Sequence, residues 1–329
     1  MSDVLRVAII GCGLIGQKRA RSLPGARLVA CADLDAGRAH ALAQSVPGAV
    51  PYGDWRQLLA ETECDAVIVA TLHDSLAEIS AAAAERGRHV LVEKPAARSS
   101  LELERVAAAR RTTGVRIRVG FNHRYHRALR KARELVDAGG LGELMFVRSH
   151  YGHGGRPGYE REWRADPERS GGGELIDQGP HVIDLARWFL GDFKTVEGVA
   201  DTLYWDMPVD DNAFLLLRTG DRKSAFLSVS CTEWKNTFSF QLYGKRGKLD
   251  IAGLGGSYGT ERVTFYRMLP EMGPPETTTW EYPMADDSWQ AENAAFLEDI
   301  RLGRQPDPGI ADAQAMLRII ETVYRETPA

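Results

Sequence analysis

The hydrophobic pattern changes period part-way along the chain. Up to about residue 120, short continuous apolar runs near 4–10, 27–32, 66–70, 89–93 and 116–120 alternate with stretches of helical spacing. Runs of that length, bounded by breakers, predict strands buried on both faces, and their alternation with helices predicts a doubly wound parallel sheet. A helix is expected after Asn122, through Arg133 to Ala138, ending at Gly139-Gly140, then a long strand over 143–151. Segments 211–218, 223–231 and 237–242 alternate apolar and polar residues, the period of half-exposed antiparallel strands. Two helices, over 288–302 and 310–325, close the chain. The expected organisation is α/β: a dinucleotide-binding Rossmann domain over 1–121, then an α/β domain over 122–329 for substrate binding and self-association. There is no internal repeat and no heptad run.

The first apolar run ends in Gly11-Cys12-Gly13-Leu14-Ile15-Gly16, with a helix-compatible stretch after it. Strand, glycine loop and helix in this order suit a dinucleotide. The first glycine allows the tight turn, the second lets backbone approach a pyrophosphate, and the third lets helix and strand pack closely. Gly11 to Gly16 are therefore candidate cofactor residues. The second strand ends at Asp33, whose carboxylate would accept from an adenosine ribose and repel a 2′-phosphate, so NAD is expected rather than NADP. Arg38 could meet a phosphate, but its place in an expected helix reads more plainly as a solvated face.

Only eight of the 41 basic residues are lysines, and one, Lys94, lies in Glu93-Lys94-Pro95 at the carboxyl end of a buried run. Open α/β sheets hold ligands at that end, and a partly desolvated lysine can take part in acid–base chemistry. A solvated or ion-paired lysine fits the same position. Further on, Gly171-Gly172-Gly173-Glu174-Leu175-Ile176-Asp177-Gln178-Gly179-Pro180-His181 leads into an apolar helix stopped at Gly191. Proline belongs in a first turn, so that helix is expected to begin near Gly179, with Asp177 just ahead of it. An Asp–His pair serves proton transfer, and equally caps a helix. Between the long strand and this segment, 152–164 is rich in glycine and carries Arg156, Arg161 and Arg164, with Arg169 following. Arginines here could bind a phosphate or carboxylate, and Tyr151 or Trp163 could pack on a sugar face. The same arginines could instead pair with Glu160, Glu162, Asp166 and Glu168.

A formal charge of −4 over 329 residues argues against a polyanion-binding surface, so no nucleic-acid partner is expected. Cys12, Cys31, Cys64 and Cys231 show no C-x-x-C spacing, which suits reduced thiols in a cytoplasm. No apolar stretch is long enough to cross a bilayer. His123 with His126, and His150 with His153, stand three apart. No cysteine or carboxylate completes a four-ligand set at a familiar spacing, so no metal is expected.

Taken in order, the glycine loop, Glu93-Lys94-Pro95, Gly120-Phe121-Asn122 and Asp177-x-Gly-x-His181 resemble the glucose–fructose oxidoreductase / inositol dehydrogenase (Gfo/Idh/MocA) family over essentially the whole chain. The resemblance implies a C-terminal α/β domain on a large, mostly antiparallel open sheet, and oxidation or reduction of a ring secondary alcohol or ketone. It also implies a homodimer or homotetramer. Lys94 matches the family's motif lysine, and Asp177 and His181 its catalytic pair. His181 is assigned the base, with Lys94 the other candidate; Asp177 would orient the imidazole and Lys94 steady developing charge on the substrate oxygen. The chain departs from the family after its fourth strand. There Leu72-His73-Asp74-Ser75-Leu76 stands where Pro-Asn and a later histidine are usual, with Thr71 and His73 placed to line the cofactor site. Asn122, Arg124, Tyr151, Arg156, Trp163 and Arg164 join Lys94, Asp177 and His181 as expected substrate residues. The expected substrate is a nucleotide sugar; inositols, free sugars and aminocyclitol sugars are alternatives, and a non-catalytic dinucleotide or sugar sensor is the alternative of another kind.

Overall fold

The computed structural model describes residues 4–327. Contacts divide the chain into two units. One runs to Phe121 and includes Trp289–Gln314; the other holds Asn122–Ser288 and the segment from Ala315 onward.

In the first unit β1 (Leu5–Ile10), α1 (Leu14–Arg21), β2 (Ala26–Ala32), α2 (Ala36–Gln44), β3 (Val50–Tyr52), α3 (Trp55–Glu61), β4 (Ala66–Val69), α4 (His73–Glu85), β5 (His89–Glu93), α5 (Ser100–Thr113) and β6 (Ile117–Gly120) follow one another. The strands lie in the order β3-β2-β1-β4-β5-β6, and every neighbouring pair is parallel. β4 is buried at all four positions, as its unbroken apolar run requires. Helices start on side-chain caps where the sequence supplies them: Asp35 accepts from the Gly37 and Arg38 amides, and Ser99 accepts from Glu102. α5 stops at Gly114, which sits at φ 70°. The strand order reverses between β1 and β4, and ligands of such sheets bind beyond the strands' carboxyl ends at that point. β3 was not anticipated: it has three residues, one of them Pro51, and lies at the sheet edge where proline is tolerated.

The second unit begins with a 3₁₀ turn, Asn122–Tyr125, then α6 (Arg127–Asp137) and β7 (Leu144–Gly152). Two further 3₁₀ turns, Tyr159–Arg161 and Trp163–Ala165, precede α7 (Pro167–Ser170), α8 (Glu174–Asp177) and α9 (Gly179–Leu190). Then come β8 (Phe193–Asp201), β9 (Asn212–Thr219), β10 (Ser224–Ser230), β11 (Thr237–Gly244), β12 (Gly247–Ala252), β13 (Glu261–Arg267) and β14 (Glu276–Tyr282). They form one eight-stranded sheet in the order β14-β13-β12-β11-β7-β10-β9-β8, in which only β7 and β10 pair in parallel. α6, α8 and α9 pack on this sheet. β9 shows the expected alternation: Ala213, Leu215 and Leu217 are buried, whereas Phe214 and Leu216 are exposed. The chain ends in α10 (Ser288–Leu302) and α11 (Ile310–Glu326).

One expectation needs correcting. A single C-terminal domain over 122–329 does not form, because 289–314 packs with the first unit. Phe296 and Leu297 of α10 are buried in one cluster with Val7, Ile9, Leu28 and Leu91 of the parallel sheet. Asp299 meets the Arg118 guanidinium of β6 at 2.5 Å, both groups being buried. The apolar positions of a terminal helix show which of its faces is buried, not which sheet covers it. Among the described residues no helix is long and apolar enough to cross a membrane.

Candidate functional site

The glycine loop has the shape a dinucleotide needs. Gly11 sits at φ 94°, and a Cβ added at Gly16 would overlap the Gly11 carbonyl oxygen. Gly13 differs, since no atom lies within 4 Å of where its Cβ would be. Gly13 is the N-cap of α1 and makes no side-chain capping bond. Leu14 beside it is 72% exposed, so the helix N-terminus is open to a phosphate. Asp33 is pinned by two amides, Cys12 N–H donating at 2.7 Å and Asp35 N–H at 2.9 Å. This ties the Asp33 carboxylate to the glycine loop itself. On β4's far side Ser75 donates to Thr71 Oγ1 at 2.9 Å. His73, expected to line the cofactor site, is the first residue of α4 and is 4% exposed.

Lys94 follows β5 on a tight turn closed by the Ala96 amide donating to Glu93 O at 2.9 Å. The Lys94–Pro95 peptide is cis, and Ala96 stands at φ 74°. Lys94 is half-buried. Glu93 was expected at the cofactor. Its carboxylate is held by Arg19 of α1, with Nε at 2.8 Å and Nη2 at 2.7 Å. Arg19 is wholly buried and also meets Glu292 at 2.6 Å and Asn293 Oδ1 at 2.9 Å. Burial, ahead of the opposing pull of Arg19, pushes the Glu292 carboxyl above its usual range. Glu93 thus buttresses the turn that carries Lys94, a role that the motif alone does not distinguish from ligand contact.

In the second unit α8 ends at Asp177, and α9 begins at Gly179 with Pro180 in its first turn, as its missing N–H favours. The three glycines before α8 bring the chain against Asp210, which accepts from Gly173 N–H at 2.8 Å, Leu175 N–H at 2.7 Å and Tyr324 O–H at 2.8 Å. A Cβ at Gly173 would overlap the Asp210 backbone. Asp177 and His181 are buried, at 4% and 5% exposure. Asp177 accepts from Arg164 Nε at 2.7 Å. That carboxylate is the main reason the Arg164 guanidinium is held more firmly protonated. His181 lies flat against His123, ring centroids 3.7 Å apart and planes 24° apart. Tyr151 stands edge-on to His181 at 6.0 Å, with Tyr258 beyond it at 5.5 Å. Burial raises the Tyr151 phenol well above its ordinary range, which keeps it neutral.

Of the expected substrate residues, Asp177, His181, Tyr151 and Arg164 come together. Arg124 makes a buried two-point pair with Asp184, at 2.7 and 2.6 Å. Arg156 is exposed and spends its guanidinium on Glu162 at 2.6 Å. Asn122 donates to Ser288 Oγ at 3.0 Å, and Trp163 lies half-buried under the Arg164 guanidinium at 4.6 Å. Around them 153–170 is folded rather than loose, with Tyr159 and Ala165 buried on Met207, Val209 and Cys231. Glu174, Asp210 and Tyr258 were not anticipated as site residues. Glu174 is buried beside His153 (3.4 Å); burial lowers the His153 imidazole, but the Glu174 carboxylate, with Asp177 adding to it, raises it above its ordinary range. Its one sequence signal was its place one helical turn before Asp177. Three of the four histidines weighed for metal pair instead with carboxylates: His126 with Glu261 at 3.2 Å, His150 with Glu233 at 3.2 Å and His153 with Glu174. Among the described residues no three His, Cys, Asp or Glu side chains group to hold a metal ion.

Comparison with known proteins agrees with this fold. The sequence model described as "Oxidoreductase family, NAD-binding Rossmann fold" matches residues 5–121, and that of the GFO/IDH/MocA C-terminal domain matches 129–250. Inositol 2-dehydrogenase 2 of Saccharopolyspora erythraea is 32% identical over 192 residues, 57% of this chain and 54% of that protein. Levoglucosan dehydrogenase of Pseudarthrobacter phenanthrenivorans is 32% identical over 158 residues, 47% of this chain and 40% of that protein. These matches span about half the length of the curated relatives. The crystal structure of an oxidoreductase domain protein from Kribbella flavida superposes with a TM-score of 0.88 at 26% identity, covering 99% of this chain and 97% of that one. With an NAD-binding Rossmann domain first and the matching C-terminal domain after it, the chain belongs to the Gfo/Idh/MocA oxidoreductase family.

Proposed function

We propose that the protein is an NAD-dependent dehydrogenase that oxidises, or in reverse reduces, a ring secondary alcohol of a neutral sugar or cyclitol. The observation that carries this reading is the buried His181 set among His123 and Tyr151, with Asp177 held by Arg164 just ahead of it, in a chain whose first unit is a Rossmann domain. Gly11 to Gly16 and the open N-terminus of α1 would hold the pyrophosphate and Asp33 the adenosine ribose. NAD, when bound, supplies the acceptor for the hydride leaving the carbinol carbon. His181 takes the hydroxyl proton as the carbonyl forms, and the substrate leaves as the ketone. Asp177, fixed by Arg164, favours the charged imidazole that results. Lys94 hydrogen-bonds the substrate oxygen and stabilises the charge that gathers on it.

A neutral substrate is favoured because the arginines expected to meet a diphosphate are already paired, Arg156 with Glu162 and Arg164 with Asp177. Inositol and levoglucosan, named for the relatives above, are thus the first compounds to try. The test is NADH formation by the purified protein with inositol, levoglucosan, free hexoses, amino sugars and a UDP-sugar, NADP⁺ being run in parallel. Turnover confined to the UDP-sugar would restore the nucleotide-sugar reading. Cofactor binding with no turnover on any compound would favour a sensor.

Self-association belongs to the same reading. On the sheet face away from the helices Phe226 stands opposite Leu216, and Phe214 opposite Val199, each more than 40% exposed. Apolar patches of this kind mark contact surfaces, and we assign this one to a second copy of the chain, to be checked by light-scattering mass.

A further inference from the structure

His123 takes no part in the mechanism above, yet it makes the closest ring contact to His181. The stack is built, not incidental. His123 lies on the 3₁₀ turn Asn122–Tyr125, and the next residue, Arg124, clamps that turn to α9 through Asp184, one turn beyond His181. Asn122 Oδ1 lies 3.3 Å from His123 Nδ1, while Asn122 Nδ2 donates to Ser288. With the amide oriented so, its oxygen accepts, and Nδ1 carries the hydrogen. Behind His123, His126 stands edge-on at 5.3 Å, its Nδ1 3.2 Å from Glu261 of β13 and 3.9 Å from Asp286. Phe238 and Tyr151 close the remaining sides at 5.8 and 5.3 Å.

We propose that His123 is a positioning residue that acts through His181, holding its ring plane and sharing a single proton with it. The inference rests on the role given to His181 above. Two neutral imidazoles stack well, and so do one neutral and one charged; two imidazolium rings 3.7 Å apart repel. The pair therefore accepts a first proton readily and a second only at lower pH, so its titration belongs to the two rings together. The other ionisable groups facing the stack are Asp177 with its Arg164, Tyr151 and Tyr258, and His126 with Glu261 and Asp286. A base of this kind is kept flat for the substrate hydroxyl.

The test compares His123→Phe, which keeps a flat ring without a titrating nitrogen, with His123→Ala, which removes the ring. Two readouts are used: nitrogen NMR titration of the His181 imidazole, and kcat and KM against pH with NAD⁺ and the compound turned over fastest in the panel. His123→Ala is expected to lower kcat by about 10- to 100-fold at nearly unchanged KM, as misplacement of a reacting group does, and His123→Phe to restore most of it. In both variants the two-step titration of His181 collapses to one step. If folded His123→Ala turned over like wild type with an unchanged His181 titration, the proposal would be overturned. Should His123→Ala not fold, an unchanged His181 titration in His123→Phe would overturn it alone. His181→Ala separates the two readings: full turnover there ends the proposed mechanism, whereas the NMR coupling stands or falls by itself.

Discussion

Arg124 and Asp184 meet in a two-point ion pair that is almost wholly buried, Nε to Oδ2 at 2.7 Å and Nη2 to Oδ1 at 2.6 Å. Removing one member of such a pair leaves an uncompensated charge in the interior, at a cost of about 3–5 kcal/mol. Arg124→Met should lose that much stability in urea unfolding. The double variant Arg124→Met/Asp184→Leu should regain a good part of it, because neither charge remains. Equal losses in the single and double variants would mean that the clamp is not what holds the turn.

The glycine loop separates folding from binding. Gly16→Ala places a methyl group against the Gly11 carbonyl, so α1 must move and the melting temperature should fall. Gly13→Ala meets open space, so its melting temperature should stay near wild type while NADH affinity, read by fluorescence titration, falls by tenfold or more, roughly 1.4 kcal/mol. A normal NADH affinity in Gly13→Ala would move the pyrophosphate away from this loop.

For the chemistry, His181→Ala and Lys94→Met should each lower kcat by about 10²- to 10⁴-fold, the usual effect of losing a positioned proton-transfer or charge-stabilising group. The pH profile distinguishes them. The variant of the true base should lose the acidic limb of kcat/KM, and the other should keep it. Near-wild-type turnover in both variants, with folding intact, would refute the mechanism.

Much of this could be read from residue order. The runs over 89–93 and 66–70 are buried on both sides and so carry an unambiguous strand signal, and the Gly11 to Gly16 turn between strand and helix was legible by its context. Pro180 located the start of α9 because only a first turn accommodates it. What stayed hidden depends on residues far apart in sequence. Arg19 finds Glu93 across 74 positions and Asn293 across 274, and neither spacing leaves a periodic trace. Asp210, 37 positions from the glycine it holds, carries no local pattern at all. β3 was missed because three residues with a proline fall below the length at which alternation shows. The arginines of 152–164 were visible, but their partners were a choice between solvent, ligand and acid neighbours that composition leaves open.

The buried charges around Arg19 make a prediction about pH. Glu292 and Glu93 share one guanidinium, so ionising both leaves an excess negative charge in the core. Burial is the first cause, and the Glu93 charge a further one, that raises the Glu292 carboxyl in the native state. The native protein therefore holds this proton more tightly than the unfolded chain does, where a glutamate titrates near about 4.3. Stability from this group is complete below that value and is lost as pH rises from there through the raised native value. Glu292→Gln removes the titration and leaves Arg19 paired with Glu93. The melting temperature of Glu292→Gln relative to wild type should therefore climb as pH is raised above about 4.3, then level off once wild-type Glu292 is ionised. A difference that stays flat across this range would show that Glu292 keeps an ordinary carboxylate affinity for its proton despite its burial.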